Sequence, residues 1–239
     1  MMSLKLKPRL RMAASLIEEG PVPSLIADIG SDHGRLICWL LHRYPDAEGI
    51  ATDISRPSLM KTELLAEQEG LSERIRCLCG DGLDPLRGIK PDILMICGMG
   101  GELIRDILSR AEEPLGGAKT AVLQPMSGVE ELREYLFADG YRVVSDRIVK
   151  EGGRYYQVMS VRKDGTPDRL PEGFPEGLFS IGYRSYADQD PLYREYLAFL
   201  ISRLDRCLEE ATGSSAEQRL LAQRERLASA AFKDGKQNW

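Results

Sequence analysis

The stretch Asp28-Ile29-Gly30-Ser31-Asp32-His33-Gly34 places two carboxylates beside an imidazole and two glycines, directly after a short apolar run. Glycine at the end of a strand lets the backbone approach a ligand where a side chain would block it. As a dinucleotide fingerprint the stretch fails, because G-x-G-x-x-G needs a second glycine where Asp32 stands. Two further carboxylates end apolar runs. Asp53 lies 25 residues after Asp28, where a carboxylate can accept both hydroxyls of a ribose. Asp81-Gly82 follows the next run, where a carboxylate can receive the exocyclic amine of an adenine. An Asp at a strand end is also a common helix cap, but three in order at consecutive strand ends describe a site for an adenosine-bearing cofactor. The fourth run ends in Cys97-Gly98-Met99-Gly100-Gly101. Glycines opening a helix can present N–H groups to a ligand or simply permit close packing. Cys97 could be a nucleophile for cytosine C5, although the neighbouring signature of such enzymes is missing and a free Cys is often a small buried hydrophobe.

Such residues meet only if strand ends are brought side by side. SLIADIG, EGIATDIS, IRCLCGDG, PDILMICGMGG and TAVLQP read as five strands separated by helical patterns, which predicts a parallel sheet with helices on both faces. YRVVSDRIVKEGGRYYQVMSVRK then reads as a hairpin turning at Glu151-Gly152-Gly153-Arg154. A doubly wound, Rossmann-like α/β sheet with an antiparallel last strand is the architecture of class I methyltransferases, which use S-adenosylmethionine (SAM). An acidic residue closing the first strand, then glycine, is their usual opening. In front of the sheet, Leu6, Leu10, Ala13 and Ile17 fall on one face of a predicted helix with Lys and Arg opposite. Residues 1–163 thus form a methyltransferase domain with an N-terminal basic helix. Residues 164–190, rich in Pro, Gly and Asp, read as a linker. Residues 191–239 carry apolar positions at Tyr193, Leu197, Leu200, Leu204, Leu208 and Ala211, a break at Gly213-Ser214-Ser215, and a second stretch with Leu220, Leu221, Leu227 and Ala230. That pattern predicts a C-terminal two-helix, coiled-coil-like hairpin.

Composition narrows the classes. In 239 residues, 43% are hydrophobic and the longest apolar run, Leu36 to Leu41, has six, far from the roughly 20 of a membrane span. The first residues lack the uninterrupted apolar stretch of a signal peptide. Five cysteines without a CxxC suit a reducing cytoplasm, and a count of two histidines argues against a His-rich metal site. A net charge of −5 argues against non-specific coating of nucleic acid but leaves room for a local basic face.

DIGSDH, GDGL, GMGG after an apolar strand, LQP on the next strand and KPRL near the N-terminus together resemble the bacterial tRNA (adenine-22-N1)-methyltransferase family, TrmK-like, over the whole chain. The sequence departs from that family at Gly34-Arg35-Leu36, Arg56-Pro57, Cys97 and Ile181-Gly182-Tyr183. The resemblance implies methyl transfer from SAM to N1 of adenosine 22 of tRNA, with S-adenosylhomocysteine (SAH) as product and no metal. It makes Asp32 the catalytic candidate, the competing role being a helix N-cap. The cofactor would be held by Asp28, Gly30, Ser31, His33, Asp53, Ile54, Asp81, Gly82, Gly98 and Met99. Lys5, Lys7, Arg9, Arg11 and Arg35 would meet tRNA phosphates, in a cytoplasmic protein with no membrane and no obligate protein partner. Other readings are a SAM-dependent enzyme acting on another RNA site, a protein or a small molecule, and an RNA-binding module that keeps the fold without catalysis.

Overall fold

Short apolar runs bounded by turn residues become strands in the computed structural model, which describes residues 4–211 and 216–231. β1 (Leu25–Ile29), β2 (Glu48–Asp53), β3 (Ile75–Cys79), β4 (Ile93–Met99) and β5 (Thr120–Pro125) run parallel. β6 (Arg142–Glu151) and β7 (Arg154–Arg162) form the expected hairpin, and β7 pairs antiparallel with β5. The order across the sheet is β3-β2-β1-β4-β5-β7-β6. Ile29 stands level with Thr52 on one side and Ile96 on the other, so the ends of β1, β2 and β4 open onto one crevice. Connections leave β1 and β4 in opposite directions there, which is where ligands enter open α/β sheets.

Alternation along β1 sends side chains to two cores. Ile26 joins the apolar cluster under α1 (Pro8–Ser15), α2 (Arg35–Arg43) and α3 (Arg56–Gln68), while Ala27 and Ile29 join the one under α4 (Gly101–Ser109) and α5 (Val129–Ala138). The start of α3 is fixed locally: Pro57 sits in its first turn, and the Ser55 hydroxyl accepts from the Ser58 N–H.

Two expectations change. The basic N-terminal helix does not reach from Leu6 to Ile17 as its apolar face predicts; it is confined to Pro8–Ser15. Leu4 and Leu6 are buried while Lys5 and Lys7 are exposed, the alternation of an extended segment. Pro8 is the cause, since it holds Lys7 extended (φ −63°, ψ 155°) and is itself suited to a first helical turn. Residues 164–190 connect the sheet to the C-terminal helices as a packed strap. Phe174, Leu178, Ile181, Tyr183 and Tyr186 (the last two in α6, Tyr183–Ala187) are buried in the α4–α5 core. Asp168 fastens the strap by accepting from the Val143 N–H, the Tyr183 hydroxyl and the Arg184 guanidinium.

Beyond the strap, α7 (Tyr193–Ala211) and α8 (Glu217–Ser229) pack against one another. Arg224 pairs with Asp205 and the Tyr193 hydroxyl donates to the Ala230 carbonyl, contacts that make the two helices antiparallel as expected. The Gly213-Ser214-Ser215 break lies outside the described residues.

A buried ion pair joins these parts. Arg133 of α5 and Asp146 of β6 are both fully buried and 3.0 Å apart. Arg133 also donates to Gln157 of β7 at 2.9 Å and to the Phe179 carbonyl of the strap. Gln157 passes the contact on, donating to the Ser180 carbonyl and the Tyr196 hydroxyl of α7. Gly182 is required beside the pair, because a Cβ there would lie 2.2 Å from Asp146 Oδ2. Replacing Arg133→Met strands a buried carboxylate and is expected to cost about 3–5 kcal/mol in urea unfolding. The double variant Arg133→Met/Asp146→Leu should recover most of that loss; an equal loss in both variants would show that the charge pair is not its source.

Candidate active site

The loop after β1 is built on left-handed backbone. Gly30 (φ +67°) lies under Met99, whose methyl would be 2.1 Å from a Cβ at position 30. Gly34 (φ +66°) is the N-cap of α2, and a Cβ there would press into Thr62. Between them Asp32 adopts φ +51°, a conformation rare outside glycine and most tolerable to Asn and Asp. Three contacts hold this turn. The Asp32 N–H donates to Asp53 Oδ2 (3.2 Å), Thr62 Oγ1 donates to the Asp32 carbonyl (3.2 Å), and Ser31 Oγ meets Thr62 Oγ1 (3.4 Å). The N–H groups of Gly30 and Ser31 both donate to the Thr52 carbonyl, so they serve the loop itself.

Asp32 is not the cap of α2, which starts at Arg35 with Gly34 as its N-cap and no side-chain cap. Its carboxylate points outward, 67% exposed, and pairs with His33 Nδ1 at 2.6 Å. Asp28, at the end of β1, is buried, and its Oδ2 has no hydrogen-bond partner. Burial pushes its pKa up to about 7, the Asp53 charge adds to the rise, and the Ile37 N–H opposes it.

Asp53 and Asp81 stand at the rim. Asp53 accepts from the Ser55 N–H as well as from Asp32, so one carboxylate ties the β1 and β2 loops together. Ile54 beside it is 73% exposed, an apolar surface suited to a flat ring. Asp81 is exposed and paired with Arg110 at the end of α4 (2.9 Å), a partner that sequence reading missed. Gly82 (φ +53°) packs against Ile107, and a cleft of about 270 Å³ opens beside Asp81, lined by Leu83, Leu86, Ile89 and Ile107.

The glycines after β4 divide between the two roles considered for them. Gly98 (φ +80°) faces open space: a Cβ at this position would have nothing within 4 Å. Gly101 is there for packing: a Cβ would lie 1.9 Å from the Gly128 carbonyl oxygen, and its N–H donates to the Ser127 carbonyl. Burial, with Asp28 adding, drives the Cys97 thiol pKa far up, which keeps it protonated and removes support from the nucleophile reading.

The candidate phosphate contacts separate as well. Lys5, Lys7, Arg11 and Arg35 are exposed. Arg9 is committed to the protein: it pairs with Glu151 at 2.6 Å, donates through Nε to Gln124 Oε1 at 3.2 Å, and lies over the Tyr156 ring. Gln124, the centre of the LQP motif, is fully buried and donates to the Pro125 carbonyl. A polar residue inside an apolar strand was the sequence signal for this network; nothing in the sequence pointed to Thr62 as the support of Asp32.

A methyltransferase domain family matches residues 6–159, the span that holds every one of these loops. Over 173 residues the chain is 34% identical to the tRNA (adenine(22)-N(1))-methyltransferase of Bacillus subtilis, covering 72% of this chain and 71% of that protein. The chain belongs to the tRNA (adenine-22-N1)-methyltransferase family. Its fold matches that of the B. subtilis tRNA methyltransferase TrmK with a TM-score of 0.80 at 24% identity, over 96% of this chain and 100% of that one. It also matches TrmK of M. capricolum, solved in complex with SAH, with a TM-score of 0.76 at 24% identity over 95% and 96% of the two chains. In this family setting the expected sheet with its reversed last strand is present, and the three carboxylates occupy the ends of β1, β2 and beyond β3.

The raised pKa of Asp28 has a direction that can be tested. In the folded protein Asp28 keeps its proton where the unfolded chain, with a value near 3.8, has released it. Its contribution to stability is therefore full below about pH 4 and lost as the pH rises toward 7. Asp28→Asn should gain stability over the parent between about pH 4 and pH 7, by at most about 1.4 kcal/mol per pH unit, and hold that gain above. Thermal unfolding across this range reads it, and a pH-independent offset would contradict the assignment.

Proposed function

We propose that this chain transfers the methyl group of SAM to N1 of adenosine 22 in tRNA, releasing SAH. The observation that carries the reading is an exposed carboxylate, Asp32, held in left-handed backbone in the loop after β1, which also carries Asp28 with its unpaired Oδ2, in a member of this family. The residues present fit the cofactor. Asp53 would take the ribose hydroxyls, Ile54 the face of the adenine, and Asp81, released from Arg110, its exocyclic amine. The buried Asp28, with no partner on Oδ2, suits the neighbourhood of a cationic ligand, and Gly98 keeps a side chain out of its path. When bound, SAM supplies a methyl group made electrophilic by a sulfonium.

The chain's own residues then answer the needs of the acceptor. Adenine N1 already carries a lone pair, so no base is needed before attack. The methylated ring is cationic, with charge shared between N1 and the exocyclic amine. Asp32 stabilises that charge and can accept a proton from the amine, while His33 holds the carboxylate in one orientation. N1 lies on the Watson–Crick edge, so the base leaves its stack to reach Asp32. Lys5, Lys7, Arg11 and Arg35 remain open to phosphates, and the substrate places the reaction in the cytoplasm.

Incubation with SAM and an unmodified tRNA carrying adenosine 22 should give a SAM-dependent stop of reverse transcription at that base. No stop, with SAM binding verified in the same preparation, sinks the substrate assignment. Asp32→Ala should lower turnover by about 10²-fold or more with SAM affinity nearly unchanged, whereas Asp53→Ala should weaken SAM binding itself. Near-parental turnover of Asp32→Ala would remove Asp32 from catalysis.

A further inference from the structure

Two long apolar side chains stand in solvent at the rim and have no part in the site as described. Met126, 40% exposed, follows the last residue of β5; Leu103, 47% exposed, lies in the first turn of α4. Exposed apolar residues are ordinary when scattered; these two come from segments that adjoin the Gly98 turn, Leu103 from the helix that follows it and Met126 from the residue bonded to Met99. The Met126 N–H donates to the Met99 carbonyl at 2.8 Å, and the Met99 methyl lies against Gly30. Contact therefore runs unbroken from the β1 loop through Met99 to Met126. Leu103 approaches the same edge because side chains on a helix lean toward its N-terminus, here the Gly98–Gly101 loop.

Met126 is also held from behind. Gln124 donates to the Pro125 carbonyl at 2.8 Å and reaches Met126 Sδ at 3.6 Å, and Arg9 fixes the Gln124 amide through its oxygen. Glu151 in turn fixes Arg9. A buried polar network thus ends on an exposed thioether. An extruded adenine gives up its stacking partners, and no aromatic residue lies in 97–103 or 125–129 to replace them. A thioether is polarizable and packs well on aromatic rings.

Resting on the function proposed above, we infer that Met126 and Leu103 wall the slot that receives the extruded adenine, and that Arg9 is a positioning residue that acts through Gln124. Met126 and Leu103 contact the two sides of the ring, and Arg9 does not touch the tRNA.

Two readouts test this, each alongside methylation of adenosine 22. With 2-aminopurine at position 22, the parent should show the fluorescence rise of an unstacked base on binding. The Met126→Ala/Leu103→Ala variant should lose most of that rise and about 10-fold or more in kcat/KM, with SAM affinity unchanged. Met126→Leu keeps an apolar wall and should retain most of both, which separates the slot from loss of folding. Arg9→Ala should lower kcat while leaving the salt dependence of tRNA binding as in the parent; a shallower slope would make Arg9 a phosphate contact instead. Parental methylation with an unaltered rise and kcat/KM in the double variant overturns the slot alone. No methylation of adenosine 22 by the parent overturns the reading on which it rests.

Discussion

The buried pair of Arg133 and Asp146 is the contact through which the separate parts of this molecule take their positions. Removing two charges from water is costly, and the cost is offset only when every remaining donor and acceptor finds good geometry. Arg133 meets most of that demand by forking between Asp146, Gln157 and the Phe179 carbonyl, which leaves its Nε and one Asp146 oxygen buried without a hydrogen bond. An apolar plug could settle in several ways, whereas a fork must meet its carboxylate. The pair therefore fixes α5 against the β6–β7 hairpin, and with it the strap and, through Gln157, the first turn of α7.

Position of α5 matters to the site because its N-terminus is part of the rim. Gly128, which precedes the helix, packs against Gly101 so closely that a Cβ at position 101 would lie 1.9 Å from its carbonyl oxygen. The C-terminal helices, though remote from Asp32 in sequence, are thus linked by a series of contacts to the loops around it. One helix carries the link, from Tyr196 through Gln157 and Arg133 to the Ser127-Gly128 turn.

Around the crevice the chain accepts local costs. Asp32 stands in left-handed backbone, Asp28 is buried without a partner on one oxygen, and Asp28 and Asp53 repel one another. Such strain persists only where the surroundings over-determine it. Here Thr62 and Asp53 hold the turn from two sides. Asp28, Asp53 and Asp81 make the crevice acidic, while Lys5, Lys7, Arg11 and Arg35 stand exposed in a chain of net charge −5.

Much of the fold was legible in the sequence because it is written in local pattern. Short, mostly apolar runs bounded by Gly, Pro and Asp marked the strands of five to seven residues, and Glu151-Gly152-Gly153-Arg154 marked the hairpin that reverses the last one. The carboxylates at strand ends could be placed because topology puts all parallel strand ends on one side. Pairing across the chain could not be read. Arg9 looked like a phosphate ligand until Glu151, 142 residues away, claimed it, and 164–190 looked like a linker because its Pro and Gly hid the five apolar residues that it buries. Whether a cation is free, whether a glycine serves a ligand or a neighbour, and whether a Pro-rich segment is packed depend on what tertiary contact brings alongside. Sequence determined the strands and the chemistry at their ends; the fold decided which of those groups are spent on holding the site and which are left to act.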